Sequence, residues 1–157
     1  MASTRYVVAY CSLLGAVLLL CSVGCGSGKP MDGDGRLITE TGSYTIERLG
    51  FRIDVQIVEK SIVYYTVTDR SGKKVLASTE RFSDAQRWCL FWDASDCLWV
   101  YSSDMGSWLW QRGGDGKYAQ NNISTNAEAY ARMPKEVFGY MPTGKQDKWR
   151  HLRAGGK

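Results

Sequence analysis

Arg52-Ile53-Asp54-Val55-Gln56-Ile57 sets an apolar residue at every second position, with a charged or amide residue between each pair. Successive side chains of a strand point to opposite faces, so this stretch predicts a β-strand with one face buried and the other in water. The same grammar extends outward. Ser61-Ile62-Val63-Tyr64-Tyr65-Thr66-Val67-Thr68 follows directly after Glu59-Lys60, and the turn signal Asp69-Arg70-Ser71-Gly72-Lys73 separates it from a further run beginning at Lys74. With Ser43 to Leu49 before and three aromatic-rich segments after, about seven short strands are expected. The short loops require antiparallel neighbours, because a parallel partner needs a crossover of a dozen or more residues. The predicted fold is mainly β: a single antiparallel meander, forming a sandwich or a partly closed barrel over residues 36–144. One or two short helices follow near its C-terminal end.

The helices are read from Asn121 to Met141. Thr125 with Glu128 three places later fits a capping box, Pro134 interrupts the run, and a second short helix from Pro134 through Phe138 would end at Gly139. Residues 145–157 carry five basic side chains and one acidic one, with isolated Trp149 and Leu152. They are expected to be a disordered basic tail, with a membrane-surface or partner-binding segment as the alternative.

Composition agrees with one folded domain. The chain has 157 residues, 44% hydrophobic and 23% charged, with a net charge of +4. That excludes a wholly disordered chain and leaves no room for two large domains. Arg5 is the one charged residue in positions 1–24, so the remainder keeps only a slight basic surplus, too small to argue for a nucleic-acid partner.

Five of the six tryptophans lie between Trp88 and Trp110. Taking Asp93-Ala94-Ser95-Asp96 and Ser103-Asp104-Met105-Gly106 as four-residue hairpin loops pairs Cys89 with Val100 and Tyr101 with Trp108. Trp88, Tyr101 and Trp108 would then form one row and Leu90, Trp99 and Trp110 the next, giving one aromatic sheet face. Trp88, Trp99, Tyr101, Trp108 and Trp110 are therefore the candidate residues for stacking on sugar rings or another flat ligand. The competing reading makes them core, since an exposed apolar wall of that size exceeds what soluble monomers carry. In the same register Cys89 and Cys97 point to opposite faces about 10 Å apart, too far for a disulfide.

Ser102 to Trp110 resembles the Asp-box turn found between strands of sialidase-type propellers, which implies a structural role for Asp104. Catalytic chemistry is otherwise poorly supplied. His151, in the basic tail, is the only histidine, so a Ser/His/Asp or Cys/His arrangement has no base in the folded body. Asp93, Asp96, Asp104 and Asp115 sit in predicted loops and are read as turn formers, with calcium binding as the competing reading. No metal site, cofactor or catalytic residue is expected.

The N-terminus carries the most specific signal. Tyr6 to Gly24 is uncharged and follows Arg5, the layout of a secretory signal. Its end, Ser22-Val23-Gly24-Cys25, resembles the lipobox of bacterial lipoproteins, with Ser22 where that family usually has Leu. The resemblance implies a signal peptide over residues 1–24, acyl chains on Cys25 and anchoring to the membrane of the cell envelope. Two other readings of this stretch stand: ordinary signal-peptidase cleavage, and an uncleaved transmembrane helix. Gly26 to Gly35 holds four glycines and one proline, so residues 25–35 are expected to form a flexible tether. The expected function is an envelope lipoprotein whose non-catalytic β domain contacts a protein or the cell-wall glycan. The alternative is a carboxylate-dependent glycan hydrolase or a glycan-binding module using the aromatic face.

Overall fold

The computed structural model describes residues 31–154. The expected signal peptide (1–24), Cys25 and the first part of the tether (25–30) lie outside the described residues, as does the end of the basic tail (155–157).

The fold is mainly β, built as two sheets packed face to face rather than a closed barrel. The first sheet contains β1 (Met31–Asp32), β2 (Gly42–Ile46), β3 (Phe51–Val58), β4 (Ile62–Thr68) and β5 (Lys74–Ala77) side by side, and β6 (Phe82–Ser83) also pairs with β4. The second contains β7 (Trp88–Trp92), β8 (Leu98–Ser102), β9 (Gly106–Arg112) and β10 (Tyr118–Asn122) in the order β10-β9-β8-β7. Every ladder is antiparallel except β1 with β2. Three helices close the chain: α1 (Ala127–Arg132), α2 (Lys135–Tyr140) and α3 (Thr143–Ala154).

The alternation in β3 places Ile53 and Val55 inside with Val63, Tyr65 and Val67 of β4, while Arg52 and Gln56 face solvent. Strands β7 and β8 are buried along their whole length because the second sheet is the middle of three layers. Trp88, Leu90, Trp92, Leu98, Val100, Trp108 and Trp110 pack against the first sheet. Cys89, Phe91, Trp99, Tyr101 and Leu109 lie on the other face, under Tyr130, Met133, Val137, Phe138 and Met141.

The hairpin register differs from the sequence expectation by one residue, twice. Trp92 pairs with Leu98 and Cys89 with Tyr101, while Val100 pairs with Trp108 and Ser102 with Gly106. The backbone of the turns is the reason. Asp93 N–H bonds to the Cys97 carbonyl at 2.9 Å and Asp96 is left-handed at φ 60°, which makes a three-residue loop ending in a bulge. Gly106, at φ 106°, sits inside β9 and not in the loop. A one-residue slip moves a strand's side chains to the opposite face. The expected single aromatic face is therefore split: Trp88, Trp108 and Trp110 face the first sheet, and Trp99 and Tyr101 face the helices.

The same turn recurs three times at one end of the sandwich. In Asp69–Lys73, Asp93–Cys97 and Gly113–Lys117 the first N–H bonds to the fifth carbonyl, at 2.9, 2.9 and 2.7 Å. The fourth residue has positive φ in each: Gly72 at 82°, Asp96 at 60° and Gly116 at 78°.

Both chain ends of the domain are more ordered than expected. Met31–Asp32, read as tether, adds a strand to β2, and Gly33 N–H bonds to the Thr45 carbonyl at 2.8 Å. The tail read as disordered is helical as α3, because Trp149 stacks on Tyr130 with ring centroids 4.5 Å apart. Asn126, rather than Thr125, caps α1, accepting from Ala129 N–H at 3.0 Å.

Candidate functional site

The two long sides of the sandwich are finished differently. On one side the segment following β1 straps the sheets together, with Ile38 and Leu90 exchanging two backbone hydrogen bonds of 2.9 Å. Arg48 reinforces that side, pairing with Asp34 at 3.3 Å and also with Asp96. On the other side β5 and β10 are edge strands, and among the described residues no ladder joins them. The Thr79 hydroxyl donates to Gln120 Oε1 across this side at 2.7 Å. Beside the repeated turns the two sheets stand apart, leaving a cleft of about 500 Å³.

Its apolar part is Phe51, Val75 and Tyr118, each partly exposed. The rings of Phe51 and Tyr118 meet each other edge to face at 6.2 Å, and each meets Trp92 the same way at 5.6 Å, which braces them against the core. Burial pushes the Tyr118 hydroxyl above its ordinary range, and the Asp96 charge pushes in the same direction.

Four cations line the cleft from two walls. Lys73 and Lys74 come from the turn and start of β5, and Arg112 and Lys117 come from the hairpin between β9 and β10. Arg112 is oriented by donating Nε–H to the Gly116 carbonyl at 3.1 Å. Lys117 lies 4.0 Å from Asp115, an exposed pair that contributes little. The one acid in the lining, Asp69, is occupied by its own turn. It accepts from the Ser71 hydroxyl at 2.6 Å, Ser71 N–H at 2.9 Å and Lys73 N–H at 3.0 Å. The Ser71 hydroxyl in particular holds this carboxyl below the usual carboxylate range. The local charge therefore favours an anion.

A second groove of about 380 Å³ lies on the outer face of the first sheet beneath residues 78–81, but its charges are partly paired off, Glu59 with Arg81. The cleft at the turn end is larger, and its four cations outnumber its one acid, Asp69.

The residues singled out from sequence lie elsewhere. Trp88, Trp99, Tyr101, Trp108 and Trp110 are each at most 7% exposed. Trp88 and Trp108 pack around Phe82, with centroids at 6.1 and 6.4 Å, and Trp110 Nε1–H donates to the Tyr65 hydroxyl. Trp99 Nε1–H donates to Asp93 at 2.6 Å. Among the loop acids, Asp104 accepts from the Ser102 hydroxyl and from Ser83 N–H, supporting a turn as the Asp-box resemblance implies. Asp93 also accepts from Ser95 and Cys97 N–H, at 2.8 and 3.0 Å. Among the described residues no group of three or more His, Cys, Asp or Glu is placed to hold a metal ion.

The cleft residues escaped the sequence reading, although one signal was available. Ser71-Gly72-Lys73 and Asp115-Gly116-Lys117 both put lysine straight after the left-handed glycine of the repeated turn. No protein family, curated protein or solved structure matches the chain. Among the described residues no helix is long and apolar enough to cross a membrane.

Proposed function

We propose that this chain is an envelope lipoprotein, anchored through acyl chains on Cys25, whose β domain binds an envelope protein or the cell-wall glycan without catalysing a reaction. The cationic, aromatic-floored cleft is the observation that carries the binding role. Its position suits a tethered domain. Only residues 26–30 separate Cys25 from β1, at most about 22 Å of extended chain over the six steps from Cys25 to Met31. β1 lies at one edge of the first sheet and runs parallel to β2 toward the turn end, so the chain enters from the opposite end. The cleft sits at the turn end beside β5, four strands away, or about 19 Å at the usual strand spacing. An anchor at Cys25 would therefore join the domain at the end remote from the cleft.

The hydrolase alternative needs two carboxylates facing each other across about 5 to 9.5 Å. The cleft offers only Asp69, already engaged by its turn. Two measurements test the proposal. Mass spectrometry of the native N-terminus should find an acylated Cys25 as the first residue, and the full chain should sediment with isolated cell envelopes stripped of its own lipid fraction. An unmodified Cys25 on a soluble product refutes the anchor, and a chain that stays in the supernatant refutes the contact role.

A further inference from the structure

The shape and chemistry of the cleft narrow its ligand further, in an inference that rests on the binding role proposed above. A volume of about 500 Å³ falls within the roughly 300 to 1,000 Å³ typical of pockets that enclose small ligands. Lys73 and Lys74 on one wall and Arg112 and Lys117 on the other call for negative charge between them. An inorganic anion has no use for Phe51 and Tyr118, and a neutral sugar has none for four cations. An acidic peptide would use the cations and leave the two rings idle. A sugar carrying an acid group uses both, because the C–H face of its ring packs on an aromatic surface while its carboxylate or phosphate meets the cations.

We infer that the cleft binds an acidic sugar, the C–H face of its ring packed into the corner between the edge-to-face rings of Phe51 and Tyr118 and its anionic group held between the Lys73–Lys74 wall and the Arg112–Lys117 wall. The arrangement is anchored where it needs to be stiff. Trp92 holds both rings from behind, and the Gly116 carbonyl directs Arg112. It is adaptable at Lys73, Lys74 and Lys117, whose side chains are exposed.

Isothermal titration calorimetry of the full chain in nonionic detergent tests this with four probes: trigalacturonate, glucose 6-phosphate, maltotriose and triglutamate. One or both acidic sugars should bind, at least tenfold more tightly than maltotriose or triglutamate, and about tenfold more weakly when salt rises from 50 to 500 mM. Whichever acidic sugar binds more tightly distinguishes a carboxylate from a phosphate source. Lys74→Ala with Lys117→Ala should weaken acidic-sugar binding about tenfold, and Tyr118→Leu should weaken it without changing residual triglutamate binding. Both variants must keep the parent's circular dichroism spectrum. Triglutamate binding as tightly as the sugars would replace the inference with an acidic peptide, and maltotriose binding as tightly would remove the role of charge. No heat with any probe, from a chain that still sediments with envelopes, overturns this inference and leaves the contact role standing. Failure of both experiments overturns both.

Discussion

Trp110 Nε1–H donates to the Tyr65 hydroxyl at 2.8 Å, joining the two sheets through a buried side-chain hydrogen bond. Tyr65→Phe keeps the ring and strands the indole N–H. Leaving a buried donor unsatisfied costs about 1–3 kcal/mol, so urea unfolding should show a loss in that range with an unchanged m-value.

Alkali should unfold the protein through its buried phenols. Burial, with a smaller push from Tyr130, drives the Tyr101 pKa up to about 12, and burial raises Tyr65 further still. An unfolded tyrosine ionises near pH 10. The folded state therefore holds these protons while the unfolded state releases them, so the contribution is complete below pH 10 and is lost progressively above it, up to about pH 12 for Tyr101 and beyond that for Tyr65. Phenolate absorbance of these residues should appear together with loss of near-ultraviolet circular dichroism. Separate, earlier ionisation would contradict their burial.

Trp99 should matter to stability because it is core on the helix side and also ties down a turn. Trp99→Ala removes a buried ring and is expected to cost about 3–5 kcal/mol. Asp93→Ala frees Trp99 Nε1–H together with two turn N–H groups, and should cost about 2–3 kcal/mol. A variant of Trp99 with the parent's melting temperature would place this residue outside the core.

Cys89 and Cys97 are free thiols on the same face of the second sheet, four ladder positions and about 13 Å apart. The observed register changes the reason for their separation, since they do not point to opposite faces. Non-reducing peptide mapping should recover no Cys89–Cys97 linkage. Burial raises the Cys89 thiol well above its ordinary range, so a maleimide should label it only on unfolding.

The docking of α3 depends on Trp149 over Tyr130, helped by Arg153 donating to the Tyr130 carbonyl at 3.5 Å and to that of Met133. Trp149→Ala should lower helical circular dichroism and speed tryptic cleavage after Lys145 and Lys148, while the β-sheet signal persists. Equal cleavage rates in variant and parent would mean that the stack does not hold the helix.

Local periodicity determined the strands wherever one face is wet. Ile53, Val55 and Ile57 are separated by polar residues, so only one side of β3 can face a core, and the mainly β class followed. In β7 and β8 that criterion is empty. Trp88-Cys89-Leu90-Phe91-Trp92 and Leu98-Trp99-Val100-Tyr101 are apolar on both faces, because one face meets the first sheet and the other meets the helices. Two registers one residue apart satisfy such a pattern equally. Only the turn backbone, with Asp96 left-handed and Asp93 bonded to Cys97, selects between them. The order of α3 was hidden for a related reason. Its short amphipathic stretch repays its ordering entropy only when Trp149 meets Tyr130, a contact across the chain that no local pattern contains. The cleft is the extreme case: Phe51, Lys73 and Lys74 come from one sheet and Arg112, Lys117 and Tyr118 from the other. These residues become neighbours only because two sheets pack face to face and part at one corner.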